Sequence, residues 1–237
     1  MFSEPTLAIS QAADIAALCA CTSDITARWG FSTFSVTAVS TEVSGATLFK
    51  SVYNHQPDYI DIFTDPEGAK RDPVMQFIRR TAVPIIWDQN TYHAAGQYDL
   101  FEQQSPFGLR HGIAVCVHLP GSRHVAVGFD GPDAFPISWA ARTEMLAQFQ
   151  LCSAFFADAA ERLMFPSPAG ADLLQLTPRE REALHWTSEG KTAYEIGRIL
   201  SISEGMVNRV ISTLQAKLNC VSKAQTVAKA IRLGIIN

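Results

Sequence analysis

Between Leu176 and Leu233 three helix-start signatures follow one another, and no other feature of the chain limits its fold as much. Thr177 and Glu180, Thr192 and Glu195, and Ser222 and Gln225 each have capping-box spacing. In such a box the first side chain caps the third backbone N–H, and the second reaches back to the cap. Ser203 supplies a fourth N-cap. The spacing predicts four short helices, roughly Pro178 to Ser188, Ala193 to Leu200, Glu204 to Leu218 and Lys223 to Leu233, with Gly234 as the stop.

Apolar residues recur on these segments at helical spacing: Leu184, Ile196, Ile199 and Leu200 on the first two, and Val207, Val210, Ile211, Leu214 and Leu218 on the third. The opposite face of the third carries Asn208, Arg209, Ser212, Thr213, Gln215 and Lys217, which suit base edges and phosphates. Only Ser201, Ile202 and Ser203 separate it from the second helix, the link expected of a helix-turn-helix. A small helical bundle that binds another protein is the alternative. Residues 172–237 hold nine Lys or Arg against six Asp or Glu, so a net of −4 for the whole chain leaves −7 on residues 1–171. A basic segment of +3 has a modest field for nucleic acid, and a dimer is expected to double its phosphate contacts.

A chain of 237 residues with 47% hydrophobic content suits two domains, the larger with a sizeable core. No apolar run approaches membrane-spanning length, and the opening MFSEPTLAIS lacks a signal-peptide pattern. Five cysteines show neither disulfide nor zinc spacing, which implies reduced thiols in the cytoplasm. The histidines have no carboxylate or cysteine at catalytic spacing, and no phosphate loop or nucleophile elbow is present, so no enzyme and no cofactor is expected. PSPAGAD, from Pro166, marks a linker over residues 166–175 between domains at 1–165 and 176–237. Ahead of it, Ser138 to Phe165 reads as a long amphipathic helix, with Trp139, Leu146, Phe149, Cys152, Phe156, Ala159 and Leu163 on its stripe. Gln11 to Gly30 reads as helix, FSTFSVTAVS from Phe31 as strand, and GIAVCVHLPG and HVAVGFDG as two strands around a turn near Gly121 and Ser122. The fold class predicted is α+β: an N-terminal α/β/α sandwich on an antiparallel sheet, then an all-α domain of four helices.

The C-terminal residues resemble the LuxR-type quorum-sensing regulators. LTPRERE from Leu176, then Leu184, Trp186, Gly190, Lys191, Thr192, Glu195, Ile196 and the run Leu200-Ser201-Ile202-Ser203 follow that family's pattern position by position. The resemblance implies that the helix from Glu204 lies in the major groove. Its expected DNA-binding set is Thr192, Ser203, Asn208, Arg209, Ser212 and Thr213, with Lys217 on phosphate. Family members commonly have Arg-Thr before the Val of this helix, where this chain has Gly205-Met206, and a different pair at Arg209-Val210. Operator sequence therefore does not carry over.

The resemblance continues more sparsely upstream. Asp72-Pro73 matches the pair that in the family holds the amide N–H of an acyl-homoserine lactone, Trp87 the aromatic beside the lactone ring, and Gly112 a close-approach glycine. Three positions depart from the pattern. Tyr59 stands where a Trp usually donates to the lactone carbonyl, Phe63 where a Tyr stands, and Gly128 near a usual Ser or Thr. Phe101 completes the expected ligand-binding set. A buried amide N–H needs an acceptor and an acyl chain needs apolar walls, so the set is chemically coherent. Without a ligand, Asp72 reads as a turn or helix start and the aromatics as core. The resemblance implies a cytoplasmic, homodimeric regulator that senses an acyl-homoserine lactone or related molecule and binds a two-fold symmetric operator. The departures leave open a regulator that needs no lactone, or a protein that pairs with a related regulator and blocks it.

Overall fold

A computed structural model of the chain describes residues 4–41, 46–134, 138–165 and 176–236. It divides into two compact units: Met1–Val39, Phe49–His118 and His124–Phe165 in one, and Ser40–Leu48, Leu119–Arg123 and Pro166–Asn237 in the other. The PSPAGAD segment lies outside the described residues.

The helix expected over Gln11 to Gly30 begins four residues later, as α2 (Ile15–Arg28), behind a separate helix that the sequence reading lacks, α1 (Glu4–Gln11). The reason is Asp14, whose carboxylate accepts the Ala17 N–H at 2.8 Å and starts a new helix. Two strands follow, β1 (Thr33–Thr41) and β2 (Thr47–Tyr53), then a tight turn at Pro57–Tyr59 and the short helices α3 (Ile60–Phe63), α4 (Pro66–Arg71) and α5 (Pro73–Ile78). After β3 (Ile85–Trp87) come α6 (Gln89–Ala94), α7 (Tyr98–Gln104), the hairpin β4 (His111–Leu119) and β5 (Arg123–Gly131), and the long helix α8 (Trp139–Leu163). Gly121 and Ser122 both take left-handed backbone, at φ of 78° and 54°, in the turn the sequence marks.

The five strands lie in the order β2-β1-β5-β4-β3, so the last long strand sits at the centre of the antiparallel sheet. Strand alternation then assigns the two faces. On β5, Val125, Val127 and Phe129 are fully buried, and the Phe129 ring meets Trp29, Phe149 and Phe156 at centroid distances of 5.7, 5.2 and 6.2 Å. This is the layer of α1, α2 and α8. The α8 stripe follows the expected spacing except at Trp139, which is 85% exposed at the first turn among the described residues. Ala126 faces the other way and packs into a second apolar cluster under the short helices. The result is the α/β/α sandwich.

The other unit's helices are α9 (Pro178–Ser188), α10 (Ala193–Leu200), α11 (Glu204–Lys217) and α12 (Lys223–Arg232). Thr177 with Glu180 and Thr192 with Glu195 form reciprocal boxes, and Ser203 caps α11 through the Met206 N–H. At α12 only half of the box forms. Ser222 caps the Gln225 N–H, but the longer Gln225 side chain accepts from Val221 at 2.9 Å instead of from the cap itself. Val207, Ile211, Leu214 and Leu218 are buried on one face of α11, as the periodicity requires.

Candidate ligand pocket and DNA-reading helix

Aspartate caps set the short helices of the candidate pocket. Asp65 caps α4, Asp72 caps α5, and Asp88 forms a capping box with Thr91 on α6. Asp-Pro pairs open α4 and α5, since a proline at the first helical position has no N–H to lose. These caps fold the 60–104 segment into short helices that surround a cluster of Tyr59, Val74, Ile78, Trp87, Tyr92, Phe101, Leu109, Ala114 and Cys116. Phe63 packs against the cluster from its edge. A cleft of about 240 Å³, lined by Gln89, Phe101, Arg110, His111 and Pro132, shares Phe101 with it.

Asp72 has two jobs. One carboxylate oxygen accepts the Val74 and Met75 N–H groups at 2.7 and 3.0 Å, and the other accepts the Tyr92 hydroxyl at 3.0 Å. Burial pushes its carboxyl above the usual range in spite of these donors. The helix-start reading thus accounts for one oxygen, and the other faces the aromatic cluster through Tyr92. Tyr59 is buried, and burial followed by the Asp130 and Asp72 charges pushes its phenol up, so it stays a neutral donor. His55, against the Tyr59 and Phe63 rings at 5.1 and 4.8 Å, is held down to about 4 by burial and is neutral, with an unpartnered Nδ1.

Gly112 pairs with Trp87 across the β3–β4 register. A Cβ there would collide with Trp87 Nε1 and with Asp130 Oδ1. The close approach is thus between side chains of β3 and β5 across the bare backbone of β4. Gly128 lies on the same sheet face as Asp130 and Ala126, and a Cβ on it would stand 3.3 Å from Ser35 Oγ. A hydroxyl is therefore present beside position 128 on β1.

Sequence reasoning did not find Tyr92, Gln104, Asp130 or Ser35. Gln104 is buried with Nε2 unpartnered, close to Tyr92. Strand alternation on HVAVGFDG would have put Asp130 on the face of Gly128, and the Asp88 box would have marked α6 and so Tyr92.

On α11, Asn208, Arg209, Ser212 and Thr213 are exposed. The two hydroxyls donate to the helix's own carbonyls, Ser212 to Asn208 and Thr213 to Arg209, each at 3.0 Å, and so face outward as acceptors. Thr192 and Ser203 are engaged as caps. Lys217 stands apart from the expectation. Its ammonium lies 2.7 Å from Glu180, whose side chain is only 9% exposed, and ties α11 to α9. Burial alone would raise the Glu180 carboxyl, but Lys217 and the Thr177 N–H outweigh it and hold it below the usual carboxylate range.

Two family profiles match successive parts of the chain. The profile "Autoinducer binding domain" matches residues 14–160 and "Bacterial regulatory proteins, luxR family" matches residues 174–230. The chain is 29% identical over 215 residues to the transcriptional activator protein BjaR1 of Bradyrhizobium diazoefficiens, covering 89% of this chain and 85% of that one. It is 30% identical over 195 residues to the transcriptional activator protein AhyR of Aeromonas hydrophila, covering 78% and 73%. Escherichia coli SdiA has the same fold, with a TM-score of 0.78 at 23% identity over 98% of this chain and 95% of that one. Its complex with octanoyl-rac-glycerol gives 0.76, over 97% and 93%. An autoinducer-binding unit followed by a helix-turn-helix places the chain in the LuxR family of bacterial transcription regulators.

Proposed function

We propose that the N-terminal unit takes an N-acyl-homoserine lactone, with Asp72 accepting the amide N–H, Tyr59 donating to the lactone carbonyl, Trp87 beside the ring, and Phe101 and the apolar cluster around the chain. The observation that carries this reading is Asp72 itself: a half-buried carboxylate whose second oxygen stands at Tyr92 beside an aromatic cluster, where a polar ligand N–H finds a strong acceptor. The C-terminal unit reads DNA with Asn208, Arg209, Ser212 and Thr213, as a cytoplasmic homodimer on a two-fold symmetric operator. Ligand acts by stabilising the state that binds DNA. Among the described residues no helix is long and apolar enough to cross a membrane.

The test is mass spectrometry of small molecules that co-purify with the full chain, followed by calorimetric titration of a lactone series. An acylglycerol belongs in that series because SdiA holds octanoyl-rac-glycerol. Saturable binding of a lactone is the expected result. Binding of acylglycerol alone would replace the lactone reading, and binding of neither would leave a regulator that works without such a ligand.

A further inference from the structure

Asp130 lies on the sheet face that carries Gly128 and Ala126. It is buried at the end of β5, and its wall contains no cation that reaches it: Asp72 on α5 and Tyr59 beside α3 face it, and Trp87 on β3 donates its indole N–H to it. Tyr92 on α6 is engaged with Asp72, and Cys116 on β4 is pushed up to about 11 by burial. Arg79, at the end of α5, acts on Asp72 and Cys116, and His55 beyond Tyr59 is neutral. Two carboxylates in one apolar cluster cannot both hold their charge at neutral pH. The difference between them is in their donors. Asp72 has two backbone N–H groups and a phenol, whereas Asp130 has one indole. The donors favour the charge on Asp72, while burial and then the Asp72 charge push Asp130 up to about 8.

The geometry fixes which way that proton is used. Gly112 lets the Trp87 indole cross β4 and bind one Asp130 oxygen, Oδ1. The same carboxyl faces Tyr59 and Asp72. We propose that Asp130 presents a carboxylic acid O–H to the head group and donates to the ligand's amide carbonyl, while Asp72 accepts from its N–H. Asp130 is then a specificity-determining residue, and the pair selects neutral secondary amides. The inference rests on the acyl-amide reading above, and it adds a donor where Gly128 has lost one.

The experiment is calorimetric titration of the full chain with N-decanoyl-cyclopentylamide, a probe that keeps the amide and has no lactone to hydrolyse, at pH 6.5 and pH 9. A group that ionises near pH 8 retains roughly a tenth of its acid form at pH 9, so wild-type affinity is expected to fall about tenfold between the two. Asp130→Asn keeps an N–H donor that does not ionise and is expected to abolish that fall. Asp130→Leu is expected to bind about tenfold more weakly at pH 6.5. Difference infrared spectra at pH 6.5 should show a carboxylic acid C=O stretch that Asp130→Asn lacks, a readout independent of binding. Equal wild-type affinity at both pH values, or no acid stretch, overturns the role of Asp130 and leaves the ligand reading intact. Failure to bind either this probe or N-decanoyl-homoserine lactone at pH 6.5 overturns both.

Discussion

The two units of this chain are specified over different distances. Each helix of the C-terminal unit announces its start within four residues, and its buried face follows from spacing alone; the reading face of α11 is what remains. In the N-terminal unit the decisive contacts join Asp72 to Tyr92, and Trp87 to Asp130, across tens of residues and three strands. Short-range rules fold the parts of that pocket, and long-range closure gives it its chemistry. The same residue type shows the contrast. An acidic side chain that closes a box, such as Glu195, is exposed and local, while Asp130 draws its properties entirely from what the sheet brings beside it.

If long-range closure makes the pocket, the largest effect should come from the smallest change across the sheet. Gly112→Ala adds one methyl group where Trp87 and Asp130 meet. It is expected to lower the stability of the N-terminal unit toward the upper end of about 1–3 kcal/mol and to weaken ligand binding. Urea unfolding followed by tryptophan fluorescence measures the first. An unchanged midpoint would mean that the β3–β5 contact is not close.

On the C-terminal side, Arg209→Ala should cost about 1–3 kcal/mol at the base it reads and little at other sequences, measured by fluorescence anisotropy on selected DNA. Uniform weakening with a flatter salt dependence would move Arg209 from base edge to phosphate.

Lys217→Ala is expected to act on stability first, by about 1 kcal/mol, because it strips the partner from a carboxylate that is 9% exposed. Glu180 is held below its ordinary range in the folded state. Its contribution is therefore present at pH values above the unfolded carboxylate pKa and is lost as pH falls through the lower folded one. Thermal unfolding of wild type and variant should converge in that acid window. A salt-dependence change without a stability change would return Lys217 to phosphate.

Gly128→Ser is the smallest. Its new hydroxyl would stand beside Ser35, so the two bond each other as readily as a ligand, and lactone affinities should shift by less than about tenfold. A larger gain in a ligand panel would show that Ser35 leaves the pocket open at this point.

Much of this was legible in the residues. The four C-terminal helices, the turn at Gly121 and Ser122, and the α8 stripe follow from caps and periodicity, and Tyr59, Trp87 and Phe101 do meet in one cluster. What escaped has physical reasons. The helix α1, of 8 residues, is too short for a periodicity to develop, and Asp14 alone marks where α2 begins. The helices α3–α7 are too short for a periodicity to develop, and only their Asp caps announce them. Lys217 lies on the polar side of α11 by spacing, yet its long side chain bends to Glu180, a residue 37 positions away. Asp130 carries no local sign of a proton, because that follows from burial and from Asp72.

The central claim is that one half-buried carboxylate, Asp72, recognises the ligand's N–H. Calorimetric titration of N-decanoyl-homoserine lactone into the full chain and into Asp72→Asn tests it most directly, since asparagine keeps one oxygen for the helix cap and turns the other acceptor into an N–H donor. The account predicts saturable binding to the wild type that is weakened roughly ten- to 150-fold in Asp72→Asn, with both proteins folded. Equal affinity in a folded Asp72→Asn would contradict it and leave Asp72 as the cap of α5 alone.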